Sequence, residues 1–155
     1  MGTAIINKNL IKFDMACPDK NTVIAELAKL IDQENRLNKL QDYTAEVLHR
    51  ETLTSTGIGY GIAVPHGKCK AVDVPTVAFG RINHGIEWGS LDGKPVHMVF
   101  LLAVPDEAAS TDHLKLLAAL ARKFMDEKFR SSLLTMKDES AVLHLLSSVF
   151  DKVLQ

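Results

Sequence analysis

The positions of hydrophobic and polar residues predict four amphipathic helices. In four stretches, apolar residues recur three or four positions apart, which places them on one face of a helix. The first stretch runs from about residue 20 to 34 and follows Asp19, a candidate N-cap. A weaker pattern covers Asp42–Arg50, a third continues from Thr111–Asp112 to Phe124, and a fourth closes the chain from about 138 to 153.

Short apolar runs between these helices predict β-strands. Val96–Val104 is nearly continuously apolar, which is typical of a central strand that is covered on both faces. Val77–Ile82 predicts a second strand, and two turn candidates lie between the two, Asn83-His84-Gly85 and Asp92-Gly93. Ala63-Val64-Pro65 reads as a short strand that the proline must end.

Helices and strands that alternate along a chain predict an α/β fold. Because the turn candidates indicate a hairpin, we expect a single-domain sandwich over residues 1–155, with a mixed β-sheet flanked by helices. A length of 155 residues, with 46% hydrophobic and 24% charged residues, fits one domain with a substantial core. No internal repeat or low-complexity segment suggests a different organisation.

Charge and cysteine content narrow the function classes. The formal net charge of -1 provides no overall attraction to nucleic acid or to an anionic membrane. Cys17 and Cys69 lie far apart and form no C-x-x-C pair, which favours a reducing compartment. The longest apolar run, Met98–Pro105, is much shorter than the roughly 18 residues of a membrane span. We therefore expect a cytoplasmic protein.

The most reactive candidate is a histidine that follows a glycine-rich segment. Gly57, Gly59 and Gly61 do not form a dinucleotide-binding motif, which would need glycine at Ile62, and no Gly-Lys-Ser/Thr follows them. His66 stands between a rigid proline and a permissive glycine at a predicted strand end. A neutral imidazole there could attack phosphorus, although metal binding or an inert surface turn would also fit this short motif.

Two further residues suit an anionic group. His113 falls in the first turn of the third predicted helix, where backbone amides and the helix dipole favour an anion. A guanidinium such as that of Arg50 matches phosphate oxygens. Each residue also has a plain interpretation, a helix-end histidine and a surface ion pair with Glu51, respectively.

Taken together, these motifs resemble a known family. Arg50-Glu51 and the segment Ser55–Lys68, STGIGYGIAVPHGK, are similar to the active-site segment of enzyme IIA domains of the bacterial sugar phosphotransferase system, in the fructose/mannitol class. The resemblance extends from about Asn9 to Phe150 and includes His113-Leu114. Tyr60 is a departure, because many relatives carry a small polar residue there.

The resemblance implies a role for each matching residue. His66 is the histidine that is phosphorylated, and His113 is the second active-site histidine. Arg50 belongs at the rim of the same site. Hydroxyl and amide donors for the phosphoryl group are expected from the turn that contains Ser55, Thr56 and Gly57.

The resemblance also implies partners. The histidine phosphocarrier protein would donate the phosphoryl group, and a cysteine of an enzyme IIB would receive it during sugar uptake. A membrane enzyme IIC would be reached only through enzyme IIB, and no cofactor or nucleic acid would be required. Two alternatives stay open: a nitrogen-type regulatory enzyme IIA whose phosphorylation state controls other proteins, and a zinc hydrolase using His66, His113 and a carboxylate.

Overall fold

The computed structural model describes the backbone of residues 4–107 and 110–153, and the side chains of residues 4–107 and 114–151. A 3₁₀ helix at Lys8–Leu10 precedes the regular elements. In chain order these are β1 (Ile11–Lys12), α1 (Lys20–Gln33), α2 (Leu40–Leu53), β2 (Gly57–Gly59), β3 (Ile62–Ala63), β4 (His66–Cys69), β5 (Thr76–Ile86), β6 (Val96–Pro105), α3 (Ser110–Phe124), α4 (Glu127–Thr135) and α5 (Glu139–Val153).

A mixed sheet forms the centre of the fold and confirms the predicted fold class. Its strand order is β1-β5-β6-β3-β2, and β4 pairs with the same edge of β6 as β3. Strands β5 and β6 are antiparallel, whereas β1 pairs with β5, and β3 and β4 pair with β6, in parallel. All residues of β6 except His97 are buried, as the continuous apolar run predicts. Whether residues 1–155 form one domain stays a prediction.

Strands β3 and β4 behave as one interrupted strand along β6. Ala63 pairs with Val99 and His66 pairs with Leu102. Residues 64–65 therefore lie opposite residues 100–101 of β6, and the interruption does not change the register of the pairing. The interruption falls at Val64-Pro65 because proline has no N–H for the ladder. His66 is therefore the first residue of a new strand, not a residue beyond the last one as the sequence predicts.

The hairpin between β5 and β6 differs from the prediction at one turn. The predicted turn at Asn83-His84-Gly85 is wrong, since β5 continues through these residues to Ile86. Gly85 has a φ of 75°, and the register with β6 shifts between Arg81 and Ile86. A bulge thus absorbs the glycine, and the chain reverses near Asp92-Gly93 as predicted, where the Gly93 N–H donates to the Ser90 carbonyl at 3.0 Å.

The predicted helices are present, and one more was not anticipated. Helix α1 begins after Asp19, whose side chain accepts a hydrogen bond from the Thr22 N–H. Helix α2 extends beyond both predicted ends. The apolar pattern does not predict α4, because its sequence is mostly polar and only Phe129 and Leu133 are buried. No helix in the described ranges is long and apolar enough to cross a membrane.

Candidate active site around His66

A glycine allows helix α2 to lie close to His66. A Cβ atom on Gly67 would lie 2.9 Å from Val47 Cγ2 and 3.1 Å from Tyr43 Cε1, so only glycine fits this contact without a shift. The Tyr43 hydroxyl also donates to the Leu102 carbonyl at 2.8 Å. Helix α2 is thereby fixed against β4, beside the start of that strand at His66.

The orientation of the His66 ring is set by a backbone carbonyl. Nδ1 lies 2.9 Å from the Val64 carbonyl oxygen. A carbonyl can only accept, so Nδ1 carries the proton and Nε2 carries the lone pair of the neutral ring. Val64 lies in the interruption between β3 and β4, where the ladder with β6 is broken. Pro65 thus interrupts the strand directly after Val64, the residue whose carbonyl selects the tautomer of His66.

The surroundings of His66 favour its neutral form. Burial lowers the pKa of His66 below its ordinary value, and the positive charge of Arg50 lowers it further. The bond to Val64 and the negative charge of Glu51 act in the opposite direction but do not reverse the shift. A half-buried, neutral imidazole with a defined tautomer is a suitable nucleophile.

We expect the His66 ring to titrate with a midpoint below about 6.5, the ordinary value for histidine. NMR observation of the ring protons against pH would measure it, with the protein unfolded in urea as the control. The unfolded ring binds its proton at a higher pH than the folded ring. The free energy of unfolding should therefore decrease as the pH falls from about 6.5 through the folded midpoint of His66. A folded midpoint at or above the unfolded one would contradict the described environment.

Arg50 lies in the last turn of α2, on the same element as Glu51. Its Nη1 donates to the Thr54 carbonyl at 2.7 Å, a bond that uses one of the five N–H donors of a guanidinium. Its positive charge is, after burial, a second cause that lowers the pKa of His66. The surface ion pair considered from the sequence is not what Glu51 forms: this carboxylate pairs with Lys20 at 3.5 Å.

The turn before β2 directs its polar groups into the protein. The Ser55 hydroxyl donates to the Trp88 carbonyl at 2.9 Å and accepts from the Gly57 N–H at 3.1 Å. The Thr56 hydroxyl donates to Glu51. These residues thus build the hydrogen-bonded frame of the site. Direct contact of Ser55, Thr56 and Gly57 with a phosphoryl group stays a prediction.

Glu51 and Lys20 belong to this frame but were not predicted from the sequence. A signal was present for Glu51: Tyr43, Val47 and Glu51 repeat every four residues and form the buried face of α2. Sequence neighbours suggested instead that Glu51 pairs with the adjacent arginine. Trp88, whose carbonyl accepts from the Ser55 hydroxyl, is buried in the core at 1% exposure.

His113 is the fourth residue of α3, in the first turn that the sequence predicts for it. Its side chain lies outside the described residues, so its position beside His66 stays a prediction. Among the side chains that are described, no group of three or more His, Cys, Asp or Glu residues could hold a metal ion.

Both the sequence and the fold are similar to those of known proteins. Residues 4–149 match the family described as "Phosphoenolpyruvate-dependent sugar phosphotransferase system, EIIA 2". The chain is 39% identical over 145 residues to the fructose-specific EIIABC component of Bacillus subtilis, covering 94% of this chain but only 23% of that protein. It is 35% identical over 142 residues to the fructose-specific EIIA component of Haloferax volcanii, with 92% of each covered. The solved structure of the nitrogen regulatory protein IIA-Ntr from Neisseria meningitidis is similar with a TM-score of 0.85 and 36% identity, covering 92% of this chain and 96% of that one.

Proposed function

This chain belongs to the EIIA 2 family of the phosphoenolpyruvate-dependent sugar phosphotransferase system, and from that premise we propose that His66 carries its phosphoryl group. His66 accepts the group from the histidine phosphocarrier protein and passes it to a cysteine of an enzyme IIB during sugar uptake. The observation that carries this proposal is the bond from Nδ1 to the Val64 carbonyl, which leaves Nε2 as the nucleophilic nitrogen. A cytoplasmic location is part of the same proposal.

The transfer can be written with its electrons balanced. The Nε2 lone pair attacks phosphorus, the bond from phosphorus to the donor's ring nitrogen breaks, and the bonding pair returns to that nitrogen. In the second step a thiolate of enzyme IIB attacks phosphorus and forms the new bond, the bond from phosphorus to Nε2 breaks, and the bonding pair returns to Nε2. Nδ1 keeps its proton throughout, and the Val64 carbonyl stabilises the positive charge that the ring carries while Nε2 is phosphorylated.

Such a transfer depends mainly on in-line positioning and on cations or N–H donors near the equatorial oxygens of the phosphoryl group. Arg50 supplies a guanidinium from the last turn of α2, the helix that packs against β4 next to His66. His113, from the first turn of α3, is proposed as the second donor. No metal or organic cofactor takes part in this scheme.

Exposed leucines support docking of protein partners over the site. Leu53 ends α2 and is 67% exposed, and Leu114, which is 63% exposed, follows His113 in α3. Leu91 is 83% exposed, and its N–H donates to the Gly57 carbonyl at 3.3 Å, next to the frame of the site. Apolar residues at a rim suit a small and short-lived interface that donor and acceptor proteins use in turn.

An incubation with phosphoenolpyruvate, enzyme I and the phosphocarrier protein tests the proposal. Intact mass should show one added phosphoryl group that is labile in acid and stable in base, because a phosphoramidate hydrolyses when its nitrogen is protonated. No added mass, or an acid-stable phosphate, would contradict the proposal. Metal analysis of the same preparation tests the zinc-hydrolase alternative, which requires a stoichiometric ion.

Arg50→Ala is expected to slow phosphoryl transfer while the protein stays folded, because a half-buried guanidinium is lost without opening a core cavity. We expect about a tenfold decrease or more, since a charge-assisted contact typically contributes about 1.5–3 kcal/mol. Rapid-quench measurement of loading from the phosphocarrier protein would check this.

The matched control is Arg122→Ala, which removes an exposed arginine near the far end of α3 and should leave the rate unchanged. Arg50→Lys keeps the charge but not the planar fork, and should recover only part of the rate. If Arg50→Ala loads as fast as the parent protein, Arg50 is a helix-end residue without a role in transfer.

The similarity to IIA-Ntr supports the second candidate, a regulatory enzyme IIA whose phosphorylation state controls bound proteins. Both candidates share the loading step and differ in the acceptor. If the phosphorylated protein is discharged rapidly by an enzyme IIB encoded beside it, transport is supported. If no enzyme IIB discharges it and a protein outside the transport system binds only one phosphorylation state, regulation is supported.

A further inference from the structure

A buried carboxylate stands out at the end of helix α2. The Glu51 side chain is 3% exposed and lies in the last turn of the helix. This position is unfavourable in two ways, because burial disfavours a charge and the C-terminal end of a helix dipole repels an anion. A buried ion pair rarely stabilises a fold more than apolar residues of similar size would. Stability alone therefore does not explain this residue.

The contacts of Glu51 converge on Thr56. Glu51 accepts hydrogen bonds from the Thr56 hydroxyl and, at 3.4 Å, from the Thr56 N–H. Lys20 of α1 donates to the same carboxylate at 3.5 Å and balances its charge. Trp88 Nε1 donates to the Thr56 hydroxyl oxygen at 3.1 Å, so both the donor and an acceptor site of this hydroxyl are in use.

Thr56 is in turn connected to His66 through the backbone. The Thr56 carbonyl accepts from the Val64 N–H at 3.0 Å. The Val64 carbonyl is the group that holds the proton on Nδ1 of His66. A series of hydrogen bonds, joined by the covalent structure of Thr56 and Val64, thus connects Glu51 to the reactive ring.

From this series we infer that Glu51 is a positioning residue for His66, acting through Thr56 and Val64 to fix the ring and its Nδ1–H tautomer. This inference rests on the proposed function, in which Nε2 of His66 is the nucleophile. Glu51 touches neither the phosphoryl group nor the ring in this role. This positioning role also explains why Thr56 is almost fully buried, at 4% exposure, in a turn beside a reactive histidine.

Glu51→Gln is the informative change because it keeps the side-chain size. A carboxylate offers two acceptor oxygens to the Thr56 hydroxyl, the Thr56 N–H and Lys20. Glutamine offers one oxygen, so its NH₂ group must face a donor, and the charge of Lys20 is left without its partner. We expect Thr56 to shift and the Nδ1–H tautomer of His66 to lose its exclusive population.

The experiment has two readouts on the full chain. Nitrogen-15 spectra of the imidazole at pH 8 report which ring nitrogen carries the proton, with no phosphorylation needed. Rapid-quench loading from the phosphocarrier protein reports the rate. In Glu51→Gln we expect a mixture of tautomers and loading slowed about 10–100-fold, the range known for outer hydrogen-bond partners of metal-bound histidines.

Controls separate positioning from folding. Glu26→Gln removes a partly exposed carboxylate that pairs with Lys12 at 3.4 Å, and both readouts should match the parent. If Glu51→Gln does not fold, Thr56→Val breaks the same series at the hydroxyl with an isosteric side chain and should give the same mixture. Thr56→Ser keeps the hydroxyl, so the fraction of His66 in the Nδ1–H tautomer should be larger in this variant than in Thr56→Val.

The possible outcomes distinguish failure of this inference from failure of the proposed function on which it rests. If Glu51→Gln and Thr56→Val fold, keep the parent tautomer and load at the parent rate, the inference is overturned while His66 remains the nucleophile. If the parent protein is never phosphorylated on His66, the proposed function fails instead. The tautomer spectra would still show whether Glu51 positions the ring.

Discussion

His66→Ala is expected to lose phosphoryl acceptance altogether, with loading from the phosphocarrier protein reduced by more than about 10⁴-fold, as loss of a covalent nucleophile does in other enzymes. The physical reason is that Nε2 supplies the electron pair for the new bond to phosphorus, and no neighbouring frame residue can replace it. His66 is half-buried at the first position of β4, so truncation should leave the fold intact. Intact mass after incubation with the phosphoenolpyruvate-driven system gives the result directly.

The matched control is His49→Ala, which removes an exposed histidine from the same helix that carries Arg50. This variant should be phosphorylated to the same extent as the parent protein. Phosphorylation of His66→Ala at the parent level would show that another residue is the acceptor and would remove the basis of the proposed function.

His113→Ala should separate positioning from nucleophilicity. Loading should still produce a phosphohistidine at His66, because the attacking nitrogen is intact. Onward transfer to the enzyme IIB cysteine should be slower by about 10²–10³-fold, the typical effect of removing one preorganised donor from a transferring group. Rapid-quench measurements of loading and unloading would give the two rates.

Glutamine is the discriminating substitution at this position. His113→Gln keeps an N–H donor without a ring nucleophile and should recover part of the unloading rate. If both rates in His113→Ala equal those of the parent, and circular dichroism shows an intact fold, then His113 only covers the start of α3 and the site has one functional histidine.

Much of the fold can be predicted from the pattern of apolar residues within single helices and strands. The repeat of apolar residues in α1 and the continuous apolar run of β6 each correspond to a burial pattern that a single element requires. The errors arise where tertiary packing overrides local preference. Asn83-His84-Gly85 has turn composition, yet pairing with β6 keeps it in a strand by means of a bulge.

The candidate site was less accessible to local reasoning. His66 could be found because its sequence motif is local and specific, and Arg50 because the same resemblance includes it. Glu51 points into the protein because Lys20 and Thr56 both donate to its carboxylate. The residues next to Glu51 in the sequence do not reveal these contacts. The bond that selects the tautomer depends on an interrupted strand, and that interruption becomes visible only once β3 and β4 are placed along β6.

The most direct test of the account is to locate the phosphoryl group on the ring. Nitrogen-15 labelled protein, loaded from phosphoenolpyruvate through enzyme I and the phosphocarrier protein, should be observed by NMR with detection of nitrogen–phosphorus coupling. We predict a single phosphoryl group on Nε2 of His66, with the proton retained on Nδ1 beside the Val64 carbonyl. A phosphoryl group on Nδ1 of His66, or on any other residue, would contradict the account.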